Sequence, residues 1–187
     1  MSKILTTQLI GVLQKIQQNE EDAIEETARL LAQAAIGQGT VYFACFDEMQ
    51  GVAQNAMFSA EPMAKVALWT ADAVITETDR VCIFTRHAND AEAIALAQQL
   101  YDAFIPFAAI ACELANHDNQ LSELAYTYIS LNLRGAILPH PTKLGERTVM
   151  PSLLAALFVY EAIKLSYDEM LTADEDEEEN GIQSPFG

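Results

Sequence analysis

The sequence predicts an α/β fold, a three-layer sandwich whose central parallel sheet of about five strands carries helices on both faces. Three observations support it. Short runs such as Thr40–Phe46 and Arg80–Phe84 are almost wholly apolar, as strands covered on both faces must be. Segments with apolar residues at helical spacing separate these runs. Of the 187 residues 51% are hydrophobic, enough for one core.

The elements follow in order along the chain. Ile4, Leu5, Leu9, Val12, Leu13 and Ile16 share one helical face. Asn19, with Asp22 three residues on, has the pattern of a cap opening a second helix. Ile24, Ala28, Leu31 and Ala35 form its apolar stripe, and Gly37 and Gly39 end it. Thr40–Phe46 is the first strand, and a helix over Glu48–Phe58 follows. Lys65–Trp69 and Arg80–Phe84 are the second and third strands. Ala91–Ala103 has helical spacing, Phe107–Cys112 is a fourth strand and Tyr126–Leu131 a fifth. A short extended piece falls at Ala136–Leu138. Pro139, Pro141 and Gly145 mark a loop, and Pro151 opens a last helix that ends near Leu171. That helix is apolar on several sides, which suits burial or an interface. Residues 1–171 are thus expected to form one domain. Residues 172–187 are expected to be an acidic, disordered tail.

Charge limits the function. The chain has 27 acidic against 10 basic residues, a net charge of −17, and eight of the acids lie between Asp168 and Glu179. Nucleic acid and anionic membrane surfaces are therefore not expected partners, since both need clustered Lys and Arg. No apolar run reaches the ~20 residues of a membrane span. Met1–Thr7 lacks a basic region feeding a long apolar run, so no signal peptide is expected. Cys45, Cys82 and Cys112 are an odd set within apolar segments, which fits reduced thiols in a cytoplasmic protein. No CxxC or HxxxH spacing points to zinc, and no cofactor is expected.

In an open parallel sheet, ligands bind beyond the carboxyl ends of strands where the winding reverses. With a flavodoxin-like strand order, that place lies between the first and third strands. The loops there are Cys45-Phe46-Asp47-Glu48 and Thr85-Arg86-His87-Ala88-Asn89-Asp90. The candidate ligand-binding residues are Cys45, Asp47, Glu48, Thr85, Arg86, His87, Asn89 and Asp90. Asn89 or Asp90 reads as a helix N-cap, Arg86 as an anion partner or a surface ion-pair former, and Cys45 as a buried thiol. His87 is the one candidate general base. Asp47, Glu48 and His87 have the donor types of a metal site but no diagnostic spacing, and no metal is assigned.

Two patterns resemble the sugar isomerase (SIS) domain superfamily, including its phosphoheptose isomerases. One is a helix, Gly39, an apolar strand and a turn into a helix. The other is Asp79-Arg80-Val81-Cys82-Ile83-Phe84-Thr85, followed by the Ala-rich helix beginning near Glu92. The likeness covers most of residues 20–170 and is similar to a branch of short SIS-like chains. It implies a domain that binds a sugar phosphate, forms homodimers or larger homo-oligomers, and isomerises its ligand without a cofactor through a Glu and a His from separate segments. The loops depart from the pattern. A Gly-x-Gly-x-Ser first loop is replaced by Ala44–Glu48. In a Ser-x-Ser-Gly-x-Thr third-strand loop, Thr85 stands at the first Ser, His87 at the second, Ala88 at the Gly and Asp90 at the Thr. The alternative is a non-catalytic member, a metabolite sensor or assembly partner, that has lost the phosphate motif.

Overall fold

The structure is a computed structural model and describes residues 2–182, with side-chain surroundings through residue 176. Five strands form one sheet: β1 (Val41–Cys45), β2 (Val66–Leu68), β3 (Arg80–Phe84), β4 (Phe107–Ala111) and β5 (Thr127–Ser130). Their order is β2-β1-β3-β4-β5, and every neighbouring pair is parallel. This is the flavodoxin-like order expected for the fold class, with the reversal of winding between β1 and β3.

Strand alternation feeds two cores. Phe43, Cys82, Phe84, Ala108 and Ile110 face α1 (Ser2–Ile36), α2 (Gln50–Phe58) and α5 (Ser152–Ile182). Ala44, Val81, Ile83, Phe107 and Ala109 face α3 (Ala91–Asp102) and the short α4 (Gln120–Leu124). Both faces are covered, which is why these strands read as continuous apolar runs. Phe43 contacts Phe84 at 5.4 Å and Tyr160 edge-on at 6.0 Å, tying the sheet to α5.

The chain departs from its sequence pattern in three places. The two helices expected before Gly37 are one. Between Ile16 and Ile24 no Gly or Pro interrupts the backbone, and Gln and Glu are good helix formers. Asn19 is therefore an exposed interior residue and not a cap. Ile16 is the first buried residue of α1, so the helix begins well outside the core. The last helix continues past Leu171 to Ile182, where composition predicts a disordered tail. Ala and Glu favour helix, and the Thr172 hydroxyl donates to the Asp168 carbonyl at 3.0 Å. The tail's remaining residues, 183–187, lie outside the described residues. Finally, α4 and a two-stranded antiparallel pair, β6 (Leu138–Pro139) and β7 (Arg147–Thr148), are too short to leave a period.

The β1–β3 junction is held at its amino end. Asp79, buried just before β3, accepts the Thr40 N–H (2.8 Å), the Thr76 N–H (2.7 Å) and the Thr76 hydroxyl (2.7 Å). The Arg80 N–H donates back to the Thr40 carbonyl at 3.0 Å. Gly39 passes so close that a Cβ there would lie 1.9 Å from the Thr78 carbonyl oxygen. No other residue fits that approach.

Gly39→Ala is expected to cost several kcal/mol, because backbone and not a flexible side chain must move. Asp79→Ala strands the part-buried donors of Thr40 and Thr76 and is expected to cost about 1–3 kcal/mol in urea unfolding at neutral pH. Burial opposes ionisation of Asp79, but the hydrogen bonds from Thr76 and Thr40 hold its carboxyl below the usual carboxylate range. A depressed native value means that its stabilisation is present above the unfolded value and is lost as pH falls below about 4. The gap between wild type and Asp79→Ala should therefore narrow in acid. A gap that stays constant to pH 2.5, roughly the lower end of carboxylate titration, would contradict this assignment.

Candidate functional site

The carboxyl ends of β1 and β3 meet as the strand order requires. The Phe46 N–H donates to the Phe84 carbonyl at 2.9 Å, carrying the pairing one residue past β1. Asp47 adopts a left-handed backbone (φ 50°) that turns the chain into the single 3-10 turn Asp47–Met49 before α2. Across the junction, the Arg86 guanidinium lies 3.6 Å from Glu48 and 4.0 Å from Asp47. The Ser152 hydroxyl at the start of α5 donates to Glu48 at 2.9 Å. Arg86 and the two carboxylates thus bridge the expected crevice, leaving open space on either side.

The predicted residues separate accordingly. Cys45, Asp47 and Asp90 line a cavity of about 570 Å³ between β1, β2 and the start of α3, with Trp69 and Glu92. It holds three carboxylates and no cation. Burial pushes the Cys45 thiol up to about 12, so it is no thiolate nucleophile at neutral pH. Asp90 caps α3, accepting the Ala93 N–H at 2.9 Å. That carboxylate occupies the helix end at which a phosphate would otherwise bind. The buried Thr85 hydroxyl donates to the His87 carbonyl at 3.2 Å and stabilises the loop. Asn89 is exposed and faces a smaller cavity toward Asn116 and Asn119.

Arg86 and His87 open onto a different cavity, of about 640 Å³, beyond β3, β4 and β5. Glu113, Asn116, Asn132 and Arg134 also line it. Here the Glu113 carboxylate accepts both from His87 Nδ1 (2.9 Å) and from the Ala88 N–H (2.8 Å). A carboxylate on Nδ1 selects the tautomer whose Nε2 lone pair is free. Glu113 is positioned because β4 and β3 are parallel neighbours and it follows directly after Cys112 at the β4 end. The Cys112 N–H donates to the Arg86 carbonyl at 3.1 Å, fixing the two loops together. Arg86 Nε is buried without a partner among the described residues. Its half-buried, rather long ion pairs with Glu48 and Asp47 contribute about 1 kcal/mol each, less than a bidentate contact with a bound anion.

Sequence reasoning missed Glu113, Asn116, Asn132 and Arg134. The strand-end rule singled out β1 and β3 because the winding reverses there, and the ends of β4 and β5 lie outside that switch point. The donor types of Asp47, Glu48 and His87 do not converge, since His87 turns to Glu113 while the two acids face Arg86.

The parallel five-stranded sheet, its order and its helices form a fold shared with solved sugar isomerase domains. The sugar isomerase domain of an RpiR transcription factor from Sphaerobacter thermophilus superposes with a TM-score of 0.61 at 14% identity, covering 96% of this chain and 97% of that one. The Vibrio vulnificus NanR protein, complexed with ManNAc-6P, superposes at 0.64 with 12% identity over 97% of this chain and 67% of its own. By sequence, the chain belongs to the family described as a domain of unknown function (DUF2529), whose model matches residues 1–171. The uncharacterized protein YwjG of Bacillus subtilis (strain 168) is 37% identical over 174 residues, 91% of this chain and 98% of that one.

Glu113→Ala should free both partners it holds. The expected result is a loss of about 1–3 kcal/mol from the stranded Ala88 N–H. Imidazole nitrogen spectra should move His87 from the Nδ1-protonated tautomer to a mixture. An unchanged tautomer in the variant would show that Glu113 does not orient the ring.

Proposed function

We propose that the protein binds a sugar phosphate in the cavity beyond β3–β5, and that His87, held by Glu113, moves a proton there in an aldose–ketose isomerisation. The observation that carries this reading is the 2.9 Å His87–Glu113 contact inside a cavity flanked by Arg86 and Arg134. The two arginines supply the positive charge for the phosphate. His87 Nε2 takes a proton from the carbon next to the carbonyl, forming an enediolate, and returns it to the neighbouring carbon. This chemistry requires no added group. Glu113 is a positioning residue, locked by its second bond to Ala88. The ManNAc-6P held by the NanR relative supports the ligand class.

A second reading, binding without catalysis, is favoured by a different observation. The Thr85 hydroxyl and the Asp90 carboxylate are both engaged within the protein. A phosphate cradle at the start of α3 is therefore closed, and a ligand must rely on the arginines alone. Self-association belongs to either reading. Exposed Ile4 and Ile10 on α1, with Leu154 and Leu165 on α5, are suited to pairing two copies.

Thermal-shift titration with ManNAc-6P and a panel of aldose and ketose phosphates is expected to raise the wild-type melting temperature. Arg134→Ala should weaken the response about tenfold. No shift with any of them at millimolar concentration would remove the sugar-phosphate assignment. Deuterium uptake from solvent at the carbon beside the carbonyl separates the readings. Uptake that is lost in His87→Ala while the thermal shift persists identifies an isomerase, and binding without uptake identifies a sensor. Light scattering across a concentration series reports the oligomer, and a monomer throughout would contradict self-association.

A further inference from the structure

The longer acid-free stretches of this chain are residues 2–19, 27–46 and 124–145, and the first and last of them bear on one cavity. These two acid-free stretches come together in space. The first is the amino-terminal half of α1, buried only at Ile16, and the second runs from before β5 to beyond β6. Between them lies a cavity of about 520 Å³ whose lining includes Lys15, Arg134, Arg147 and Gln8, and no carboxylate. Its apolar wall is formed by Val12, Leu133 and Ile137.

In a chain with 27 acids and 10 bases, a basic side chain is expected to find a carboxylate. Arg29, Arg86, Lys143 and Lys164 do so, while Lys65 and Arg80 bond backbone carbonyls instead. Lys15 and Arg134 make no ion pair or hydrogen bond among the described residues, yet they face the same cavity. Arg147 is built in. Its Nε donates to the Ala136 carbonyl at 2.7 Å and its Nη2 to the Ile137 carbonyl at 2.8 Å, leaving Nη1 for a ligand. Asn132, with a left-handed backbone (φ 49°), turns the loop, and its N–H is held by the Ser130 hydroxyl at 3.0 Å. Three like charges around one concavity repel each other unless an anion joins them.

We propose that this cavity is a second anion site, distinct from the His87 cavity and adjoining it through Arg134. Its ligand is a small organic molecule bearing a phosphate or a pair of carboxylates. Arg147 offers a rigid donor and Lys15 a mobile point charge. The apolar wall accepts the carbon skeleton. The recess, together with its size, matches a metabolite-sized ligand.

Isothermal titration of the full chain with inorganic pyrophosphate, and separately with citrate, tests the site. Wild type should show a binding event that Lys15→Gln weakens about tenfold, the loss of one charge-assisted contact, and that His87→Ala leaves unchanged. Lys15 is exposed and unpaired, so this variant should keep the wild-type melting temperature. Citrate binding with the same Lys15 dependence supports the site and assigns it to carboxylates. The proposal is overturned if neither probe binds at millimolar concentration, or if Lys15→Gln binds like wild type. It is also overturned if only His87→Ala weakens binding, because the anion then sits in the other cavity. A sugar-phosphate reading that fails, with no thermal shift or deuterium uptake, leaves this Lys15-dependent event unaffected.

Discussion

The clasp between Gly39, Thr40 and Asp79 sets how β1 lies against β3, and the rest of the molecule depends on that junction. Gly39 allows the chain leaving α1 to touch the Thr78 carbonyl. Asp79 then gathers Thr40 and Thr76 with one ionised carboxylate. Register follows from this contact, since Val41 must pair with Arg80 and Cys45 with Phe84. A slip of one residue would turn Phe43 out of its core and Ala44 into it. The same register brings Phe46 to Phe84 and sets Arg86 across from Glu48 at the far end. A constraint at one end of two strands thus decides which charges meet at the other.

Those charges divide the top of the sheet. On the β1–β2 side, Asp47, Asp90 and Glu92 make a cavity unsuited to anions. On the β3–β5 side, Arg86 and Arg134 flank the His87–Glu113 pair. A protein with a net charge of −17 therefore keeps a local cationic surface at the carboxyl ends of its later strands and along the start of α1. Net charge governs nonspecific partners, while placement governs a small ligand. Arg86 stands on the boundary, with long ion pairs weak enough for a bound anion to replace.

Much of the fold was legible because burial on both faces leaves a strong mark. Thr40–Phe46, Arg80–Phe84 and Phe107–Cys112 had to be almost wholly apolar, and each is a strand within a residue or two of its apolar run. The pattern at Asp79 announced the start of β3, although not the three hydrogen bonds that explain it. Asn19 misled because a capping pattern inside a helix looks the same as one at its start. The α5 extension misled because an acidic run reads as disorder, while Ala and Glu also extend a helix. Of the candidate site, Arg86 and His87 were found from the loop after the third strand. Glu113 and Arg134 were not, because nothing in their local sequence differs from an ordinary loop charge.

By itself, the sequence determined the layers, the parallel sheet and the loops that cap it, since these follow from periodicity and the burial of apolar runs. It also set the expectation that polyanions are not general partners, since that follows from summed charge. Only the tertiary structure decided which charges share a cavity. Parallel pairing of β3 with β4 brings His87 to Glu113, 26 residues apart in the chain. The fold of α1 over the β5–β6 loop brings Lys15 to Arg134. Such pairings are set by strand order and register, long-range quantities that local pattern does not carry.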